Sequence, residues 1–123
     1  MAKLNWQWLS LSQTCQRLKS GQASAMQLTK EMLERAQTLD DQTRCYASFL
    51  ADEALAAALA LDQKQAAGEP LGLLHGVPIG IKDLLYTQGV PTASGTLVMK
   101  DFRPPYSATV VDRLRNAGAV LLG

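Results

Sequence analysis

Residues Leu73 to Leu85 read LLHGVPIGIKDLL, an apolar run interrupted by Gly76, Pro78, Gly80 and the charged pair Lys82 and Asp83. Taken as a β-strand from Val77 to Lys82, it puts Val77, Ile79 and Ile81 on one face and Gly76, Pro78, Gly80 and Lys82 on the other, because strand side chains alternate. The face carrying Lys82 has almost no bulk beside it, and Gly80 leaves room for something to approach closely. Pro78 lacks an N–H, so the run is expected at an edge or a bend rather than in a fully paired central strand. A charge enclosed by apolar neighbours must be paired or driven toward its neutral form, and a neutral lysine can act as a general base. A lysine that merely ends a strand and points to water cannot, and on these residues alone both readings stand.

Other chemistries fit the segment poorly. Asp83 reads as a cap or a turn-forming carboxylate. His75, the only histidine, falls on the face opposite Lys82 and has no carboxylate with a hydroxyl or thiol near it in sequence to complete a triad, so it receives no catalytic role. The glycines at 72, 76 and 80 do not form a phosphate loop: that motif needs Gly-Lys-Ser/Thr together, whereas Ile81 separates Gly80 from Lys82 and Asp83 follows. A dinucleotide fingerprint is absent too.

Upstream, Ser10 with Gln13 has capping-box spacing, and Leu11, Cys15 and Leu18 recur at helical intervals before Gly21. Ser24 with Gln27 repeats the device, followed by the stripe Leu28, Met32, Ala36 and Leu39 and the polar run Asp40 to Arg44. Met26 and Met32 read as core filler. Cys45 to Leu50 (CYASFL) favours a strand, and the Ala- and Leu-rich stretch from Ala51 to Ala67 a helix, with Leu55, Leu59 and Ala66 on one side. Downstream, Pro104 and Pro105 precede a helix with Ser107 as its N-cap, Val110, Val111 and Leu114 on its buried side and Gly118 closing it. Ala119 to Leu122 then reads as a fully buried strand. The order predicts an α/β fold of about four helices around three strands, Cys45 to Leu50, Val77 to Lys82 and Ala119 to Leu122.

The chain has 123 residues, 47% of them hydrophobic and 19% charged, which suits one packed domain and excludes disordered and collagen-like classes. Residues 1–9 are expected to be a loose arm. Twelve basic against eleven acidic residues give a net charge of +1, without the footprint of a nucleic-acid binder, so no direct nucleic-acid contact is expected. Cys15 and Cys45 lack CxxC spacing and are expected as reduced, partly buried thiols, with no zinc site or disulfide framework. No signal peptide and no run long enough to cross a bilayer is read, so a cytoplasmic chain without a membrane partner is expected.

The run LHGVPIGIKDLLYTQGVPTASGT, Leu74 to Thr96, resembles the N-terminal block of the amidase signature family, which includes bacterial amidases and the A subunit of the amidotransferases acting on Glu-tRNA(Gln) or Asp-tRNA(Asn). The flanks resemble it too, from about Ser10 to Gly123, with YSATVVDRLRNAGAVLLG matching the family's next helix and strand. The resemblance implies the N-terminal part of a mixed-sheet α/β fold and an amide hydrolase built on a Ser, cis-Ser, Lys arrangement. Its base would be Lys82, acting through a bridging serine on a nucleophilic serine, on a small amide substrate and without a cofactor or metal. The departure is that both serines belong to a Gly/Ser-rich block, and no GGSSGG-like segment occurs in these 123 residues. Ser94, in TASGT, is a turn residue in the family and a poor substitute. The expectation is therefore a single partial domain over 1–123, the first segment of an amidase, inactive alone and requiring a complementing C-terminal part or forming a homo-oligomer. The alternatives are a non-catalytic interaction or remnant protein derived from an amidase, and an A-subunit-like part of a tRNA-dependent amidotransferase.

Overall fold

The computed structural model describes residues 5–123. In chain order these form a 3-10 turn (Trp6–Trp8), α1 (Leu11–Lys19), α2 (Ala25–Thr43), α3 (Ala51–Ala66), β1 (Pro78–Ile79), α4 (Thr109–Asn116) and β2 (Val120–Leu121). The two strands are parallel, Pro78 opposite Val120 and Ile79 opposite Leu121, with α4 in the connection that a parallel pair requires. This is the expected α/β class with four helices, but with two strands rather than three. Backbone bonds prolong the pairing beyond both ends: Val120 N–H donates to Val77 O, Leu122 N–H to Ile79 O and Ile81 N–H to Gly123 O, each at 2.8 Å.

The strand expected over Cys45–Leu50 is irregular, and among the described residues its one backbone hydrogen bond to the β2 segment is Leu50 N–H donating to Leu122 O, just past the strand, at 2.8 Å. The reason lies at the end of α2. The Asp40 carboxylate accepts from the N–H groups of Cys45 at 2.8 Å and Tyr46 at 3.1 Å, taking donors that a ladder would need. Likewise the strand expected over Val77–Lys82 keeps regular pairing only at Pro78–Ile79.

Helix starts follow the capping logic. Ser10 and Gln13 form a reciprocal capping box at α1. Ser24 Oγ accepts from Gln27 N–H at 3.0 Å at α2, but Gln27 does not reach back; its amide donates to Glu31 at 3.1 Å. The Asp62 carboxylate, near the end of α3, accepts from Ala25 N–H at 2.7 Å and Met26 N–H at 3.0 Å instead, which locks α2 and α3 antiparallel. The buried face of α3 is Ala54 and Ala58 with Leu55 packed beside them, whereas Leu59 is 47% exposed and Ala66 is exposed too, correcting the face expected through Leu55, Leu59 and Ala66 at two of its three positions. Small residues there let the two helix backbones approach. Ala108, not Ser107, is the N-cap of α4; the Ser107 hydroxyl instead accepts from Gln88 N–H at 3.0 Å. Val111 is fully buried while Val110 faces outward.

Two apolar clusters hold these elements together. One joins α2, α3 and β2 through Ala25, Leu33, Ala54, Ala58, Val120 and Leu122. The other joins α1, α2 and β1 through Leu18, Leu28 and Val77, with Trp6 in it. Residues 1–4 of the arm expected over 1–9 lie outside the described residues; of the rest, Trp6 is 6% exposed whereas Trp8 is 78% exposed. Ala119 to Leu122 are all buried, as the apolar run implied.

Candidate active site

Both strands run into the same cleft, of about 540 Å³, and Ile81, Lys82, Asp83, Leu121 and Gly123 line its strand side while Arg44 to Ser48 line the other. It lies past the carboxyl ends of β1 and β2, where open α/β sheets place ligands, because backbone and loops there diverge. Lys82 follows β1 by three residues and is exposed at this mouth. The shielding expected for its amine from sparse neighbours is not provided by these residues: Gly80 is exposed as well, and no carboxylate meets Lys82 within ion-pair distance among the described residues.

Asp83 organises the wall beside it. Its carboxylate accepts from Ala93 N–H at 2.9 Å and Gly95 N–H at 3.1 Å, and its carbonyl accepts from Ser94 N–H at 2.9 Å. Three consecutive amides thus converge on one residue. The turn they form holds Ser94 at φ 51, a left-handed conformation uncommon in a non-glycine residue, and these bonds sustain it. This is the turn-forming role read for Asp83, and Ser94 is an exposed turn residue.

Tyr46 was not singled out by sequence reasoning. Its ring spans the ends of both strands: a methyl at Gly80 would meet its hydroxyl at 3.3 Å, and one at Gly123 would meet its ring at 2.8 Å. The room expected beside Gly80 is filled by this residue. Tyr46 stacks on Phe49 with ring centroids 4.6 Å apart, and burial, then the neighbouring Cys45 and Asp40, push its phenol upward from the usual tyrosine range. No local sequence signal marks it, because positions 46, 80 and 123 meet only in the fold.

His75 stands apart from this cleft. It is buried, with Nε2 3.2 Å from Gln65 Oε1, while the Gln65 amide donates to Leu18 O at 2.9 Å and Lys19 O at 3.2 Å at the end of α1. Because the Gln65 amide nitrogen is committed as donor, its oxygen faces His75, which assigns the imidazole proton to Nε2. Burial holds the histidine below its usual range; Asp62 pulls the other way, and Lys64 and Lys19 add to the lowering. Both thiols are free, Cys15 half-buried but Cys45 exposed, against the expectation that both would be partly buried. Among the described residues no three His, Cys, Asp or Glu side chains come together as metal ligands. Among the described residues no helix is long and apolar enough to cross a membrane.

Comparison with known proteins places the chain by family. The family model described as Amidase matches residues 27–123. A Mycobacterium tuberculosis protein provisionally named amidase AmiD is 48% identical over 115 residues, 94% of this chain and 24% of that protein. The glutamyl-tRNA(Gln) amidotransferase of Salinispora tropica has an A subunit that is 47% identical over 103 residues, 84% of this chain and 21% of that protein. Among solved structures, the peptide amidase of Stenotrophomonas maltophilia superposes with a TM-score of 0.89 at 32% identity, over 97% of this chain and 25% of the other. The chain spans about a quarter of the length of these relatives. With the matched region holding β1, Lys82, the Asp83-bound turn and β2, the chain belongs to the amidase family, that of the amidase-signature enzymes.

Proposed function

We propose that this chain supplies the base, Lys82, of an amide-hydrolysing site whose two serine hydroxyls come from a part of the domain these 123 residues do not include. The observation that carries the reading is the position of Lys82 three residues past β1, at the mouth of the cleft beyond both strand ends. In a Ser, cis-Ser, Lys arrangement, the nucleophilic hydroxyl oxygen bonds to the amide carbonyl carbon while its proton passes through the bridging serine to Lys82 Nζ. Backbone N–H groups stabilise the oxyanion that develops. The C–N bond then breaks, the amine departs with that proton, and water releases the acyl group from the serine. Lysine suits this role only in its neutral form, so the remainder of the domain must also exclude water from the amine. The chain alone is therefore inactive, and its small amide substrate, without a cofactor, meets a complete site only with that remainder present, in the cytoplasm.

The test is hydrolysis of simple aryl and aliphatic amides by the chain alone and by the chain co-expressed with the serine-bearing remainder of a relative. Activity is expected only in the second case. Lys82→Ala should lower kcat there by about 10²- to 10⁴-fold, the usual share of a general base. Amide cleavage that survives this substitution defeats the assignment. A second reading, that of an amidotransferase component, is supported by the near-equal identity of the Salinispora and mycobacterial relatives, 47% and 48%. It predicts that further protein components are needed, the tRNA being held by one of those rather than by this nearly neutral chain.

A further inference from the structure

Gly80 and Lys82 flank Ile81, whose N–H carries the pairing past β1 by donating to Gly123 O at 2.8 Å. In a run extended that far, positions 80 and 82 direct their side chains to one face, about 6.6 Å apart. The Tyr46 hydroxyl occupies this face, since a methyl at Gly80 would meet it at 3.3 Å. The four-carbon stem of a lysine covers the remaining interval. Both Tyr46 and Lys82 line the cleft of about 540 Å³. Tyr46 is fixed from two sides, its N–H by the Asp40 carboxylate at 3.1 Å and its ring by the stack on Phe49 at 4.6 Å. Its hydroxyl has no hydrogen-bond partner among the described residues, and in the free chain the Lys82 side chain is exposed.

We propose that Tyr46 is a positioning residue for Lys82: when the amine turns from water into the complete site, one Nζ–H donates to the Tyr46 hydroxyl oxygen. The lone pair of the nitrogen is then left aimed at the bridging serine, which is where a base must present it. The neighbouring carboxylate does not compete for the amine, because Asp83 is engaged by the N–H groups of Ala93 at 2.9 Å and Gly95 at 3.1 Å. Arg44, on the same cleft wall, offers donors only. A carboxylate partner would also fasten the lysine in its charged form, whereas a phenol orients the amine without setting a full negative charge beside it. Burial, then Cys45 and Asp40, push this phenol upward from the usual tyrosine range, which keeps it neutral. The inference rests on the reading of Lys82 as base and deepens it, and the two are separated by their variants.

The test is hydrolysis of a simple aryl amide by this chain co-expressed with the serine-bearing remainder of a relative. Tyr46→Phe removes the hydroxyl and keeps the ring with its stack on Phe49, so the assembly should be recovered as with the parent chain. Its kcat is expected to fall at least about 3-fold, the order set by one hydrogen bond, while KM stays within about 2-fold. In the Lys82→Ala background the same substitution should lower the residual kcat by a smaller factor, because the hydroxyl then has no amine to hold. A smaller fall in kcat, or a loss read in KM instead, overturns the inference. So does an equal or larger loss in the Lys82→Ala background, which would set the hydroxyl against the substrate and not the lysine. Each of these outcomes leaves Lys82 as the base. Amide cleavage that survives Lys82→Ala, or an assembly inactive with the parent chain, defeats the base reading and this inference with it.

Discussion

Asp83 draws three successive amides onto one residue, and its two carboxylate oxygens hold two of them, from Ala93 and Gly95. Charge-assisted bonds of this kind are roughly twice as strong as neutral ones, and here they fix a segment that has no regular structure of its own. Asp83→Ala should therefore cost about 1–3 kcal/mol and, more diagnostically, speed exchange at the Ala93 and Gly95 amides while leaving the α2 amides protected. Uniform acceleration across the chain would show instead that the turn is not a separable unit. At this scale the sequence offered Asp83 as a cap or a turn-forming carboxylate, without the turn ten residues on that it holds, and it placed Lys82 at the end of a strand whose regular pairing stops at Ile79. It did not expose Tyr46, whose place depends on a contact between positions 46, 80 and 123 that no local pattern encodes.

Between elements, the α2–α3 pair depends on a tertiary cap. Asp62 satisfies the Ala25 and Met26 N–H groups while Ser24 satisfies that of Gln27, so three of the four orphan donors at the start of α2 have partners. Asp62→Ala should lower stability by about 1–3 kcal/mol, read as a urea midpoint shift; Ser24→Ala, which removes the local cap alone, should cost about 1 kcal/mol. An unchanged midpoint in Asp62→Ala would mean the long-range cap adds nothing. The junction of α4 with β2 is tighter still. Gly118 sits at φ +91, and a methyl there would lie 2.9 Å from His75 Cα, so Gly118→Ala combines left-handed strain with a backbone clash and should cost about 2 kcal/mol or more. Helix limits were legible because caps are local chemistry: Ser10, Ser24 and Gly118 act where they were read. The third strand failed because Asp40, upstream in sequence, competes for its donors, and the inner face of α3 was misread because leucine outweighs alanine in any hydrophobic pattern although alanine permits closer helix packing.

For the molecule as a whole, His75 links global stability to pH. The imidazole joins β1's approach to α1 and α3 through Gln65, and protonation would place a second N–H at Nδ1, a buried atom with no partner among the described residues. Burial lowers its proton affinity in the fold, while the unfolded chain titrates near the ordinary histidine value of about 6.5. The unfolded state therefore binds the proton first as pH falls, so stability is steady above about pH 6.5 and declines below it until the folded-state histidine also titrates. One such group gives a slope of at most about 1.4 kcal/mol per pH unit. Denaturation by urea at pH 7.5, 6.5 and 5.5 should show midpoints dropping only in the lower interval, a range above the ordinary carboxylate values near 4. In His75→Gln, where a neutral amide can still donate to Gln65, the decline between pH 6.5 and 5.5 should vanish even if the variant is less stable throughout. A decline of the same size in that variant would place the pH dependence elsewhere and leave His75 as an ordinary packed side chain.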